Sequence, residues 1–283
     1  MRSYDLARLL ALAAMWSVQY LFMRIAVPAL GYELVAEFRS LFAASFLVPT
    51  AIILGQPARF RAHGWTYFRL SLVNNVLPFL FFAYAAASLP AGYLSIINGT
   101  VPMWTALFAA WLLREPLGGR SITGFALGIA GVALIVQLGP VALDARVVIA
   151  ALVGLLGAAS WGWGGVMIKR YAGAIPVHSL AAGSMVVSAV LLSPAWLEAP
   201  TATWNFGGTV SAIALGVICS GIAYLAFFTL VRDIGPSRTL SVTFLIPVLG
   251  VAWGWLLLDE AVTPSMIVGG VMVVAALWLV IRR

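Results

Sequence analysis

Polar side chains are scarce in this chain, so those inside its apolar stretches mark where chemistry can happen. Gln19, Asn75, Asn98, Ser220 and Thr243 all lie in such stretches. None is an acid, a base or a metal ligand of the usual kind. What they offer is neutral hydrogen bonding to a small polar solute. Aromatic rings accompany them. Phe79 follows Asn75 by four residues and Tyr224 follows Ser220 by four, so each pair shares a helix face. Asn98 and Thr243 precede Pro102 and Pro247 by four. A proline ring clashes with the carbonyl four residues back and deletes its hydrogen bond. Free carbonyls beside Asn98 and Thr243 are therefore expected, and these can accept from an ammonium group. Trp16, Gln19, Tyr20 and Met23 form one stripe, Trp104 follows Pro102 by two, and glycines flank Trp163 in Ser160-Trp-Gly-Trp-Gly-Gly. The expected pocket comprises Trp16, Gln19, Asn75, Phe79, Asn98, Trp104, Trp163, Ser220, Tyr224 and Thr243. For each of them, core packing or local hydrogen bonding is the competing use.

The elements that must position these residues are long apolar helices. Apolar residues make up 63% of the chain and charged residues only 9%. A soluble domain carries about 25% charged residues, so this chain has too little polar surface to face water all round. A spanning helix needs about 20 mostly apolar residues. Ten segments meet that need: 6–27, 33–54, 65–87, 91–113, 121–138, 148–168, 177–197, 207–230, 237–257 and 264–281. The short link Ser88-Leu-Pro-Ala-Gly predicts a tight antiparallel hairpin of segments 3 and 4. Gly124, Gly128 and Gly131 form a small-residue stripe for close helix packing or, alternatively, a dimer face.

The second half repeats the first. A shift of 145 lays Trp16 on Trp161, Pro49 on Pro194, Phe82 on Phe227, Pro102 on Pro247, Glu115 on Glu260 and Gly124 on Gly269. Each half holds five segments, an odd number, so the halves must enter the membrane in opposite directions. The expected fold is an all-α integral membrane protein of ten transmembrane helices in two inverted five-helix repeats, residues 1–140 and 146–283. Inverted repeats of this kind place a substrate site near mid-bilayer where the halves meet.

Charge placement bears on orientation. The net charge is +7. With both termini inside, Arg2, Arg8, Arg59, Arg61, Arg69, Arg114, Arg120, Lys169, Arg170, Arg232, Arg238, Arg282 and Arg283 all fall on the inner side. That is the positive-inside pattern of a membrane protein, and it argues against a nucleic-acid partner. Arg24 is expected to pair with Glu37 or Glu33. Arg39 has an ion pair as its expected role, with a substrate carboxylate, a lipid phosphate or an outer gate as alternatives. Glu115 and Glu260 are expected to cap the starts of segments 5 and 10. His63 is placed in a loop and His178 at the inner end of segment 7. Cys219 is read as a packing residue. Trp65, Trp196, Trp204 and Trp278 are read as interfacial anchors.

Leu113-Arg-Glu-Pro-Leu before a glycine-striped segment, with Phe82-Ala-Tyr-Ala-Ala-Ala-Ser-Leu-Pro-Ala-Gly and Pro102-Met-Trp-Thr-Ala-Leu-Phe-Ala-Ala-Trp, resembles the drug/metabolite transporter superfamily, EamA-type branch. Within it, the chain looks most like YddG-type exporters of aromatic and other neutral amino acids. The resemblance implies a secondary transporter working by alternating access on a small-molecule substrate, embedded in lipid and functional as a monomer. No cofactor or metal is expected. No Asp, Glu or His sits mid-helix in segments 3, 4, 6, 8 or 9, so transport driven by the substrate gradient is expected over proton coupling. Export of drugs or other metabolites is the alternative. An intramembrane enzyme is disfavoured: the chain has neither G-x-S-x-G nor H-E-x-x-H. A channel would need a ring of carbonyls or charges from an oligomer.

Overall fold

The computed structural model describes residues 3–114, 118–138, 144–171, 173–235, 239 and 241–281. Glu115 and the expected start of segment 9 lie outside these residues. Every regular element among those described is a helix. In chain order they are α1 (Tyr4–Leu30), α2 (Tyr32–Ile53), α3 (Phe60–Ala86), α4 in two pieces (Ala91–Asn98 and Val101–Leu112), α5 (Gly119–Leu138), α6 (Ala145–Tyr171), α7 (Val177–Thr201), α8 (Phe206–Ile234), α9 (Val242–Leu258) and α10 (Pro264–Ile281). Seven of them, α1 to α3 and α5 to α8, are long and apolar enough to cross a membrane, whereas α9 and α10 are shorter apolar helices. His63 sits in the first turns of α3, not in a loop, because the helix starts five residues before the apolar run that predicts it.

The interruptions have local causes. Proline in α3 removes a donor, and residues Leu72–Val76 just before Pro78 wind as a π-turn. A second π-turn occupies Val217–Ile222 in α8, at the same 145-residue offset. Such one-turn bulges shift the register of everything that follows. In α4 the helix breaks at Gly99–Thr100, just before Pro102. The matching proline in α9, Pro247, is carried inside a continuous helix, so the two halves handle the same residue differently.

Helix pairing follows an exchange rule. α5 packs on α10, α2 on α7, and α4 on α9. α3 packs on α6, and α1 packs on α8. α4 also packs on α6, and α1 on α9. Adding five to each label turns this set into itself. Despite their short link, α3 and α4 touch each other less than the expected tight hairpin requires. Each makes its main contacts on α6, and α4 also on α9, because those are the faces that offer small residues.

The α5 glycine stripe is covered by α10. A side chain at Gly131 would meet the Gly269 carbonyl at 2.8 Å, and one at Gly269 would meet the Gly131 carbonyl at 2.6 Å. A side chain at Gly124 would meet the Ala276 carbonyl at 2.8 Å. The stripe is thus an intramolecular seam, and it is closed to a second copy of the chain.

Glu260 and Arg24 find partners other than those expected. The Glu260 carboxylate accepts from the backbone N–H of Ala91 at 2.9 Å and of Gly92 at 3.4 Å. It caps α4, not α10, since the α9–α10 link folds back over the exposed amides at the start of α4. Arg24 lies 3.4 Å from Glu260 and donates to the Ala86 carbonyl at 2.9 Å. Glu37 instead accepts from the Trp196 indole at 3.3 Å. One cluster therefore joins α1, the end of α3, the start of α4 and the α9–α10 link.

Two outcomes are expected from these contacts. Gly131→Leu overpacks a backbone-to-backbone seam and should cost about 1–3 kcal/mol, read as a lowered unfolding temperature in detergent. Glu260→Ala removes a charged cap and should cost on the order of 1–2 kcal/mol in the same assay, more than Arg24→Gln, which leaves the cap in place.

Candidate functional site

The site is built where a proline forces α6 onto α3. Pro78 has no N–H to give the Asn74 carbonyl four residues back, and the π-turn at Leu72–Val76 breaks the regular ladder beside Val73. Unsatisfied carbonyls are costly in an apolar surround. Ser160 donates to the Val73 carbonyl at 2.7 Å and the Trp161 indole donates to the Asn74 carbonyl at 3.0 Å. The absence of a side chain at Gly164, which lies against Asn74, and at Gly157, which lies against Phe82, allows the approach. Trp161 then stacks on Phe82 at 4.8 Å between ring centres. Its repeat mate Trp16 lies on Phe227, the mate of Phe82, at 5.3 Å.

Between these two ring pairs is a cavity of ≈ 180 Å³, lined by Trp16, Gln19, Arg39, Asn98, Val101, Pro102, Trp161, Cys219, Tyr224, Thr243 and Ile246. Both halves of the chain contribute. A second cavity of ≈ 120 Å³ shares Trp16 and Tyr224 with it and is lined by Leu70, Asn74, Ile168, Val177 and Phe228 among others. It lies toward the face that carries the start of α3 and α7 and the ends of α6 and α8. The opposite face is held by the Glu260–Arg24 cluster. Drug-sized ligands take pockets of about 300–1,000 Å³, so the central cavity suits a smaller solute.

Arg39 enters this cavity from α2. It is 4% exposed. Its Nε donates to Ser220 Oγ at 3.0 Å, and its guanidinium lies 4.0 Å above the Phe79 ring and 5.9 Å from the Trp161 ring. The lack of a side chain at Gly216 lets α8 approach α2 at Phe42 and the Arg39 backbone. Among the described residues, no carboxylate lies within ion-pair distance of Arg39. The expected ion pair is therefore not formed; cation–π contacts with the rings take its place.

Of the ten residues expected at the site, the structure brings Trp16, Gln19, Asn98, Tyr224 and Thr243 to the cavity wall. Phe79 and Ser220 are fully buried and hold Arg39 from behind. Asn75 lies elsewhere: it donates to Ser188 on α7 at 3.0 Å and accepts from Asn74. Beside the π-turn it is Asn74, not Asn75, that lines the second cavity. Trp104 packs on Phe108 and Phe125, and Trp163 on Phe108 and Trp111, both away from the cavity. The ten expected residues do not include Trp161, the repeat mate of Trp16, or Arg39, for which a substrate carboxylate is an alternative to the ion pair. The 145-residue match of Trp16 with Trp161 was the signal for the first. Cys219, read as packing, also lines the cavity. Trp196 and Trp204, read as interfacial anchors, lean on Phe38, while Trp65 is 69% exposed.

The sequence model of the EamA-like transporter family matches residues 6–137 and again 148–282. The chain belongs to that family. Similar proteins include the "Uncharacterized transporter YvbV" of Bacillus subtilis, 29% identical over 95% of this chain and 88% of its own length. The "Probable amino-acid metabolite efflux pump" of Escherichia coli is 24% identical over 95% of this chain and 92% of its own. The "Probable terminal-alkyne amino-acid exporter" of Streptantibioticus cattleyicolor is 28% identical over 69% and 65%. A solved crystal structure covering 99% of this chain and 96% of its own shares the fold at a TM-score of 0.67 and 19% identity. The protein is thus a multi-span membrane transporter acting on a small molecule.

Trp161→Phe should strip the Asn74 carbonyl of its donor, costing about 1–3 kcal/mol and most of the transport rate. Trp163→Phe should leave both within twofold. Thermal unfolding in detergent and flux in proteoliposomes read the two effects.

Proposed function

We propose that the protein exports small neutral amino acids, aromatic or apolar, or related metabolites across the bacterial inner membrane by alternating access. In this reading it has ten spanning helices, and residues 1–140 and 146–283 are inverted repeats with both termini inside. The observation that carries it is the central cavity, walled from both halves by the repeat mates Trp16 and Trp161 and by the repeat mates Asn98 and Thr243. Further support comes from the double match of the family model, the two π-turns at one offset and the helix pairing that survives exchange of the halves. Two relatives carry amino-acid efflux or export in their names.

The mechanism follows from the geometry. Apolar rings shape a pocket for the side chain, and the polar groups of Gln19, Asn98 and Thr243 meet the polar end of the substrate. The cluster around Glu260 holds one face shut, while the second cavity, beyond Trp16 and Tyr224, faces the other. Transport requires the closed cluster to part and the wall at Trp16 and Tyr224 to close, with the site fixed between them. A single chain supplies both walls, so a monomer suffices.

Counterflow of the twenty amino acids in proteoliposomes tests this reading. Saturable exchange of apolar or aromatic members is expected, reduced at least tenfold by Asn98→Ala with the protein still folded. An imposed pH gradient alone should not drive uphill accumulation. Impermeant labels should find both chain ends on the inner side; ends on opposite sides would dismantle the inverted-repeat account.

A further inference from the structure

Two residues that line the central cavity each carry a buried polar atom with no hydrogen-bond partner, one a donor and the other an acceptor. Arg39 uses Nε on Ser220, but its Nη1 is buried without an acceptor. Gln19 uses its amide nitrogen on the Trp16 carbonyl at 2.7 Å and on the Tyr20 hydroxyl at 3.1 Å, but its Oε1 is buried without a donor. Both residues line the same cavity. A buried donor or acceptor left unmade is expensive, and a guanidinium without an anion is more so. Such an atom calls for an explanation, and here both belong to residues on one cavity wall.

Deepening the transporter reading and resting on it, we infer that Arg39 is the receptor for a substrate carboxylate and that Gln19 Oε1 accepts from the substrate's ammonium group. The site therefore selects a free α-amino acid, with both charged ends intact, over the amine, the amide or the plain carboxylic acid of the same side chain. The arrangement is pre-organised. Ser220 and the Phe79 face fix the guanidinium in place, so little rotamer freedom is lost on binding. A guanidinium lies flat on a ring and presents its remaining N–H groups in plane, the geometry a carboxylate accepts. At the other end, the hydrogen bonds to Trp16 and Tyr20 set the Gln19 amide so that its oxygen, not its nitrogen, is the open atom. The rings of Trp16 and Trp161 take the side chain. A cation with no acid group would meet Arg39 by repulsion, and this is how the site rejects amines.

The test compares L-leucine with leucinamide, isopentylamine and 4-methylpentanoate as competitors of L-leucine counterflow in proteoliposomes. Wild-type protein should prefer leucine over each at least tenfold. Arg39→Gln should abolish the preference for leucine over leucinamide while leucinamide exchange persists, which shows a folded carrier; Arg39→Lys should restore part of the preference. Gln19→Met should instead erase the preference for leucine over 4-methylpentanoate. The inference is overturned if leucinamide or isopentylamine competes as well as leucine in the wild type, if Arg39→Gln keeps the preference, or if it loses exchange of both compounds alike. The transporter reading fails differently, with no amino acid exchanged at all. Tryptophan fluorescence then decides Arg39: a change on adding 4-methylpentanoate to wild type and none in Arg39→Gln upholds it, and equal behaviour overturns it.

Discussion

In an apolar surround, a backbone carbonyl without a donor must be answered by another helix, and this protein's central region is organised by one such answer. Pro78 withholds a donor from Asn74, the π-turn breaks the ladder beside Val73, and α6 supplies Ser160 and Trp161. The hydrogen bonds fix the depth and rotation of α6 against α3. They also decide which of two neighbouring tryptophans faces inward. Trp161 stacks on Phe82 and becomes cavity wall, and Trp163, two residues on, is turned to the outer ring cluster.

The second half reproduces the shape of this arrangement without its chemistry. Ala223 occupies the place of Pro78, and Met15 that of Ser160. The π-turn in α8 is nonetheless kept, and its Ser220 engages Arg39. The same bulge thus secures a helix in one half and a charged side chain in the other. An inherited symmetric scaffold has been given one polar, asymmetric feature, which is what an asymmetric solute would require of it.

Much of the fold was legible in the sequence because apolar length and a constant offset between Trp, Pro and Phe residues survive in a single chain. Half of the expected site residues reach the cavity wall. The losses have separate physical sources. A four-residue spacing argument assumes an unbroken helix, and beside the π-turn in α3 it is Asn74, not Asn75, that lines a cavity. Trp104 and Trp163 were chosen for size and glycine neighbours, which speak of space but not of direction. Arg39 was read as half of an ion pair because a membrane-buried charge needs compensation. The compensation by aromatic faces and a hydroxyl from a helix 181 residues away in sequence has no local signature. Glu260 was assigned to the nearest helix start in sequence, whereas the start nearest in space belongs to α4.

The seam between α5 and α10 carries a consequence for motion. At Gly131 and Gly269 the two helices touch through bare main chain. With no side chain on either glycine the main chains approach closely, and Ile135, Met272 and Val273 pack beside them, so any slip along the axis would drive carbonyl oxygens and side chains into one another. The pair can tilt about that point but not translate. Since one helix comes from each half, this main-chain contact is a fixed point that the two halves share.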